Sequence, residues 1–87
     1  MSKELWDPFA DRLDEMHQWP CSYEFKCIVP RDGIPSFEQI YRGYSFDFRD
    51  SKSGAYRSFT ITFQAGCSQD VVRMYQLAAG IPGAVTL

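Results

Sequence analysis

Three cysteines, one histidine and two short polar loops are the places on this chain where chemistry could be built. Cys21, Cys27, Cys67 and His17 have the side chains of a metal or thiol site. If Cys21 and Cys27 share one extended strand, however, their Cα atoms lie ~20 Å apart at ~3.3 Å per residue, too far for one ion or one disulfide. Both read as small core side chains. Cys67 stands where a helix begins, a position that can lower a thiol pKa, but with no basic partner evident in the sequence it reads as a cap or a partly buried thiol. His17 lies near the end of the first helix, where a cation suits the dipole, and reads as a solvated histidine. No C-x-x-C spacing occurs, so no metal, no cofactor and no catalytic residue is assigned.

The two loops are candidates for ligand or partner binding. "PRDGIP" supplies Arg31, Asp32 and Gly33, where a glycine after a strand could let a small ligand approach the backbone. D-G is also ordinary turn sequence. The tip "DSKSGAY" supplies Ser51, Lys52, Gly54 and Tyr56 between Arg49 and Arg57, a set able to meet an anion, with Asp47 and Asp50 offsetting much of the charge. Acyl-phosphate hydrolysis of the kind seen on small α+β domains needs an asparagine to orient water, and this chain has none.

The elements that must position these loops follow from the pattern. Eighty-seven residues make one domain, and 45% hydrophobic with 16% aromatic residues suffices for a packed core. In "SYEFKCIVP", Cys21, Tyr23, Phe25, Cys27 and Val29 point one way and Ser22, Glu24, Lys26 and Ile28 the other, a strand covered on one face. "YSFDFR" and "RSFTITFQA" alternate likewise around "DSKSG", which predicts an antiparallel hairpin. Helices are expected from Pro8 to Gln18, with Asp7 as cap and Phe9, Leu13 and Met16 as its apolar stripe. A second is expected over "SFEQIYRG", with Ser36 and Gln39 as a capping box, Phe37, Ile40 and Tyr41 inward and Gly43 closing it. A third covers "CSQDVVRMYQLAAG", with Val71, Met74, Tyr75 and Ala78 buried. "GAVTL" adds a last strand with Val85 and Leu87 on one side.

The order after the leading helix is strand, helix, strand, strand, helix, strand. That predicts an α+β, ferredoxin-like two-layer sandwich, βαββαβ with a four-stranded antiparallel sheet, both helices on one face and an extra N-terminal helix. The expected division is a helical extension over 1–19 and the domain over 20–87.

Over most of its length, from about Trp19 to Leu87, the chain resembles the YbeD-like family of small bacterial proteins, a domain family of unknown function. "WPCSYEFKCIVP" and "SKSGAYRSFTITFQA" carry the resemblance. Its most specific part is Ser51, Lys52, Gly54, Tyr56 and Ser58, similar to the family's S-S-K-G-x-Y-x-S segment. The family's first domain helix is longer than "SFEQIYRG". The resemblance implies the same fold, which is similar to that of small-molecule-binding regulatory domains of the ACT type, and hence a regulatory role.

The charge of −2 and pI of about 5.2 give no general attraction to phosphate backbones or anionic membranes. The open sheet face is expected to carry Glu24, Lys26, Ser58, Thr60 and Thr62 with the strand aromatics turned inward. That removes the ring platform of an RNA-binding sheet and leaves Tyr56 alone near the tip. Acidic groups in "MSKELWDPFADRLDE" stand where a signal or membrane segment needs an apolar run. With unpaired thiols, this places the chain in the cytoplasm. The expected function is a non-enzymatic regulatory or interaction domain for a protein partner or small metabolite, ACT-like, with the open face able to accept a second copy as a homodimer. A small enzyme or redox sensor assembled on oligomerisation, using Cys67 or the Arg31-Asp32 loop, is the alternative. Nucleic-acid binding is a weaker one.

Overall fold

Strict alternation in the first strand gives it two unlike faces, and the whole architecture rests on one of them. In the computed structural model, which describes residues 3–87, β1 (Cys21–Pro30) pairs antiparallel along its full length with β3 (Tyr56–Ala65), from Cys21 opposite Ala65 to Pro30 opposite Tyr56. β2 (Asp47–Asp50) runs antiparallel to the outer edge of β3, and β4 (Val85–Thr86) antiparallel to the outer edge of β1. The result is a four-stranded antiparallel sheet in the order β2-β3-β1-β4.

Three helices, α1 (Lys3–Met16), α2 (Ile34–Ile40) and α3 (Ser68–Ala78), complete an α+β fold. Phe25, Cys27 and Val29 from β1 and Phe59 and Ile61 from β3 join Phe37 and Tyr41 from the α2 region and Met74 and Ala78 from α3 in one buried cluster. Period two in the strands and period three to four in the helices bring these residues to a common plane. Phe37 stacks on Phe59 with ring centroids 3.9 Å apart, which ties α2 to the sheet. Burying each such ring is worth about 1.5–3 kcal/mol. A second cluster, Ala10, Leu13, Ala65, Val71 and Val72, seats α1 against α3. Among the described residues no helix is long and apolar enough to cross a membrane.

Helix α1 does not begin at the expected Asp7-Pro8 signal. It is already helical at Lys3, the first described residue, and contains Pro8. Interior proline sacrifices a helical hydrogen bond and crowds the preceding turn, a cost of about 3 kcal/mol. Offsetting contacts come from its neighbours: the Trp6 ring lies 6.2 Å from Phe9, and Phe9 meets Tyr75 edge-on at 5.0 Å. Ala10 takes the place that the periodicity assigned to Met16, which is 71% exposed.

The expected capping box at Ser36 does not form. The chain passes from β1 through a 3₁₀ turn (Arg31–Gly33) into α2 at Ile34, with Pro35 in the first turn and no side-chain cap. Proline's preset φ starts this helix without one. The helix ends at Ile40, and Gly43 lies in the following turn with a negative φ, so it is not a left-handed terminator.

Both edge strands are shorter than the alternation suggests. Tyr44 and Phe46 precede β2 rather than joining it, because their rings turn onto Tyr41 and Phe63, and onto Phe37 and Phe59, respectively. At the other edge only Val85 and Thr86 pair as β4, and the Leu87 N–H extends the line by donating to the Lys26 carbonyl at 3.1 Å.

Candidate functional site

The fold carries the two candidate loops to the same end of the sheet. Pro30 ends β1 directly opposite Tyr56 at the start of β3, so the residues after one must adjoin those before the other. Arg31 bridges them: its N–H donates to the Ala55 carbonyl at 2.9 Å and its guanidinium to the Gly54 carbonyl at 3.0 Å. Arg31, Asp32, Gly33, Ser51, Lys52 and Gly54 therefore form one corner, although about twenty residues separate the halves in sequence.

Within that corner most polar groups hold the turn itself. The Ser51 hydroxyl accepts from the Tyr56 N–H at 3.2 Å, and the Ser53 hydroxyl from the Ala55 N–H at 3.3 Å. Gly54 adopts φ +76°, a left-handed conformation that glycine takes without steric cost. Gly33 is buried. A Cβ there would meet Val29 Cγ1 at 3.0 Å and Ile81 Cγ2 at 3.2 Å, so its small size serves the packing of the 3₁₀ turn. Asp32 and Lys52 are exposed. One step along the hairpin, the Arg57 guanidinium grips the Asp50 carboxylate through two contacts of 2.6 and 3.3 Å and covers the Phe48 ring at 4.1 Å. The hydrogen bond from Arg57 pulls the Asp50 carboxyl below its usual range.

Tyr56 faces elsewhere. By alternation from buried Phe59 it shares the uncovered face of the sheet with Ser58 and Thr60. The register lays that face out in rows. Asp47, Thr60 and Lys26 form one, which Leu87 extends, and Arg49, Ser58, Ile28 and Val85 form the next. Two shallow hollows adjoin across Arg49 and Ser58. One of about 410 Å³ is lined in part by Lys26, Asp47, Thr60 and Leu87, and one of about 190 Å³ by Ile28 and Tyr56. Tyr56, Val85 and Leu87 are 49, 54 and 66% exposed.

A further cleft, of about 330 Å³, lies between α1, α3 and β4, with Trp6, Phe9, Tyr75, Ala84 and Thr86 in its walls. Sequence reasoning missed it by starting the helix after Trp6. The three-residue spacing of Trp6 and Phe9 was the available signal. The Tyr75 hydroxyl donates to the Leu87 carbonyl at 3.3 Å and lies 3.1 Å from the Tyr23 hydroxyl. Burial pushes the Tyr75 phenol well above its ordinary pKa.

The thiols are dispersed. Cys27 is fully buried, and desolvation raises its pKa to about 11, which keeps it protonated and unreactive at neutral pH. Cys21 is half-buried and Cys67 exposed. Cys67 occupies the position before α3 without capping it, while the Asp70 carboxylate accepts from the Gly66 N–H at 2.8 Å. His17, expected to be solvated, is half-buried with Trp19 and Tyr23 ring centroids at 5.4 and 5.5 Å. Trp19-Pro20 turns the chain back after α1 and places those rings beside it. Among the described residues no three His, Cys, Asp or Glu side chains are grouped to hold a metal ion.

No family model, curated protein or solved structure matches this chain.

Proposed function

We propose that this chain is a non-enzymatic interaction domain of ferredoxin-like architecture that meets a protein partner through the open face of its sheet. The observation that carries the reading is the apolar exposure on that face: Tyr56, Val85 and Leu87 stand out from a surface whose centre is Ile28, Ser58 and Thr60. Such a face, shallow, with hydroxyls along β3 and apolar residues along the β4 edge, suits a flat polypeptide surface better than an enclosed ligand.

Support for the ferredoxin-like description comes from the β-α-β-β-α-β run after α1 and from the strand order β4-β1-β3-β2 with α2 and α3 in one core cluster. Kinship with the YbeD-like family rests on the "SKSGAYRS" hairpin, where Ser51, Gly54 and Tyr56 build the turn. A regulatory role in the cytoplasm accords with both and is part of the proposal. The metabolite form of the reading has a specific observation in its favour, the cleft beside Trp6, Phe9 and Tyr75, whose walls suit an apolar ligand.

The test is a photo-crosslinking residue placed at Ser58 on the open face and, separately, at Glu15 on the exposed side of α1, with the protein held in its native cell extract. The Ser58 probe should crosslink to a polypeptide and the Glu15 probe should not. Equal or absent crosslinking at both positions would remove the open face as the contact surface. Native mass spectrometry of the same preparation reads out any retained small molecule, which would favour the cleft instead.

A further inference from the structure

We infer that the partner which fits the open face is a second copy of this chain, stacked sheet against sheet about a two-fold axis. The inference rests on the open-face reading above and adds the occupant.

The distribution of charge is the reason. Asp47 ends one cross-strand row and Arg49 the next, both on β2, while Leu87 and Val85 end the same rows at the opposite edge. The sheet's other unlike charges are already paired, Glu24 with Lys26 at 3.5 Å and Asp50 with Arg57 at 2.6 Å. Asp47 and Arg49 enter no ion pair among the described residues.

A two-fold axis lying between two stacked sheets, perpendicular to the strands and midway between these rows, exchanges one row for the other. Asp47 then lies over the partner's Arg49, and Arg49 over the partner's Asp47. Val85 meets the partner's Leu87, Ser58 meets the partner's Thr60, and Ile28 covers the aliphatic stem of the partner's Lys26. Along these two rows the charges at one edge meet opposite charges, the apolar residues at the other edge meet apolar residues, and hydroxyl meets hydroxyl between them, while Lys26 lays its stem on Ile28 with its ammonium free to reach outward. The small Ser and Thr side chains of β3 let the sheets approach to the usual ~10 Å. The other in-plane axis, parallel to the strands, would set Asp47 on Leu87 and Arg49 on Val85, burying charges against apolar groups. The isologous pair about the first axis also closes, so it makes a dimer and not a fibre.

Charge reversal tests this. Sedimentation and native mass spectrometry should show a dimer forming across micromolar concentrations of the full chain. Arg49→Asp and Asp47→Arg, both on exposed positions, should each weaken self-association by about 10–100-fold while circular dichroism stays unchanged. Mixed in equal amounts, the two variants should form a heterodimer of near-parental affinity, because each supplies the charges that the other lacks. Val85→Glu should abolish the dimer in every background. A parent chain that stays monomeric throughout, or a dimer indifferent to both reversals, overturns the inference. If a monomeric parent still gives Ser58 crosslinks to another polypeptide, the open-face function stands without the second copy. If it gives none, both fall.

Discussion

The hydroxyl of Tyr41 donates to the carbonyl of Met74 at 2.6 Å, a hydrogen bond that joins the residue after α2 to the middle of α3 inside the core. The two helices reach the sheet from separate crossovers, and this bond sets their spacing. Tyr41 is fully buried, with its ring 4.5 Å from Phe37 and 5.8 Å from Phe25. The Tyr41→Phe variant keeps those ring contacts and loses the bond, so urea unfolding should show a loss of about 0.5–1.5 kcal/mol. A variant as stable as the parent would mean that ring packing alone sets the helix spacing.

Gly33 separates packing from ligand approach at the candidate corner. Its φ of −91° suits any residue, so only the neighbouring Val29 and Ile81 methyl groups oppose a side chain. Gly33→Ala should cost about 1–3 kcal/mol by overpacking the 3₁₀ turn. Thermal melts of the purified chain check it, and unchanged stability would return Gly33 to the list of ligand-facing positions.

Stability should fall on the alkaline side. In the unfolded chain Cys27 ionises near the ordinary thiol value of 9.0, whereas burial in the fold raises this to about 11. The folded form therefore holds the proton over this window, and the Cys27 contribution, fully present below pH 9, is lost as pH rises through 11. That difference corresponds to about 2–3 kcal/mol. Burial of Tyr41 and Tyr75 shifts their phenols in the same direction and adds to the slope. Denaturant midpoints across this range should decline, and Cys27→Ala should decline less steeply. Under native conditions at neutral pH a thiol reagent should label Cys67 well before Cys27.

Asp50 has the opposite sign. Its carboxyl is held low by the hydrogen bond from Arg57, so its contribution is present above the ordinary carboxylate range and is lost as pH falls through the lowered value. Both groups lie on the surface, so the effect on stability is small. The direct measurement is an NMR titration of the Asp50 side chain in the parent and in Arg57→Ala. The midpoint should move up toward that of an ordinary aspartate. An unmoved midpoint would show that the 2.6 Å pair does not persist in solution.

What the sequence determined by itself is the facing of the long strands. Alternation is local, and "SYEFKCIVP" and "RSFTITFQA" present Phe25, Cys27, Val29, Phe59 and Ile61 to the core whatever the rest of the chain does. The inward positions Phe37, Tyr41, Val71, Met74 and Ala78 were legible for the same reason. Element ends were not. Pro8 inside α1 and the shortened β2 each depend on ring contacts with residues far away in sequence, which override local start and stop signals, and at α2 the preset φ of Pro35 displaces the Ser36 capping signal. Only the tertiary structure decided that Arg31 clamps Gly54, that Trp6 and Tyr75 share a cleft, and that Asp47 and Arg49 end adjacent rows whose other ends are Leu87 and Val85. Each is a relation between strands or helices, and register across a sheet is set by the burial of its core face, not by any one segment.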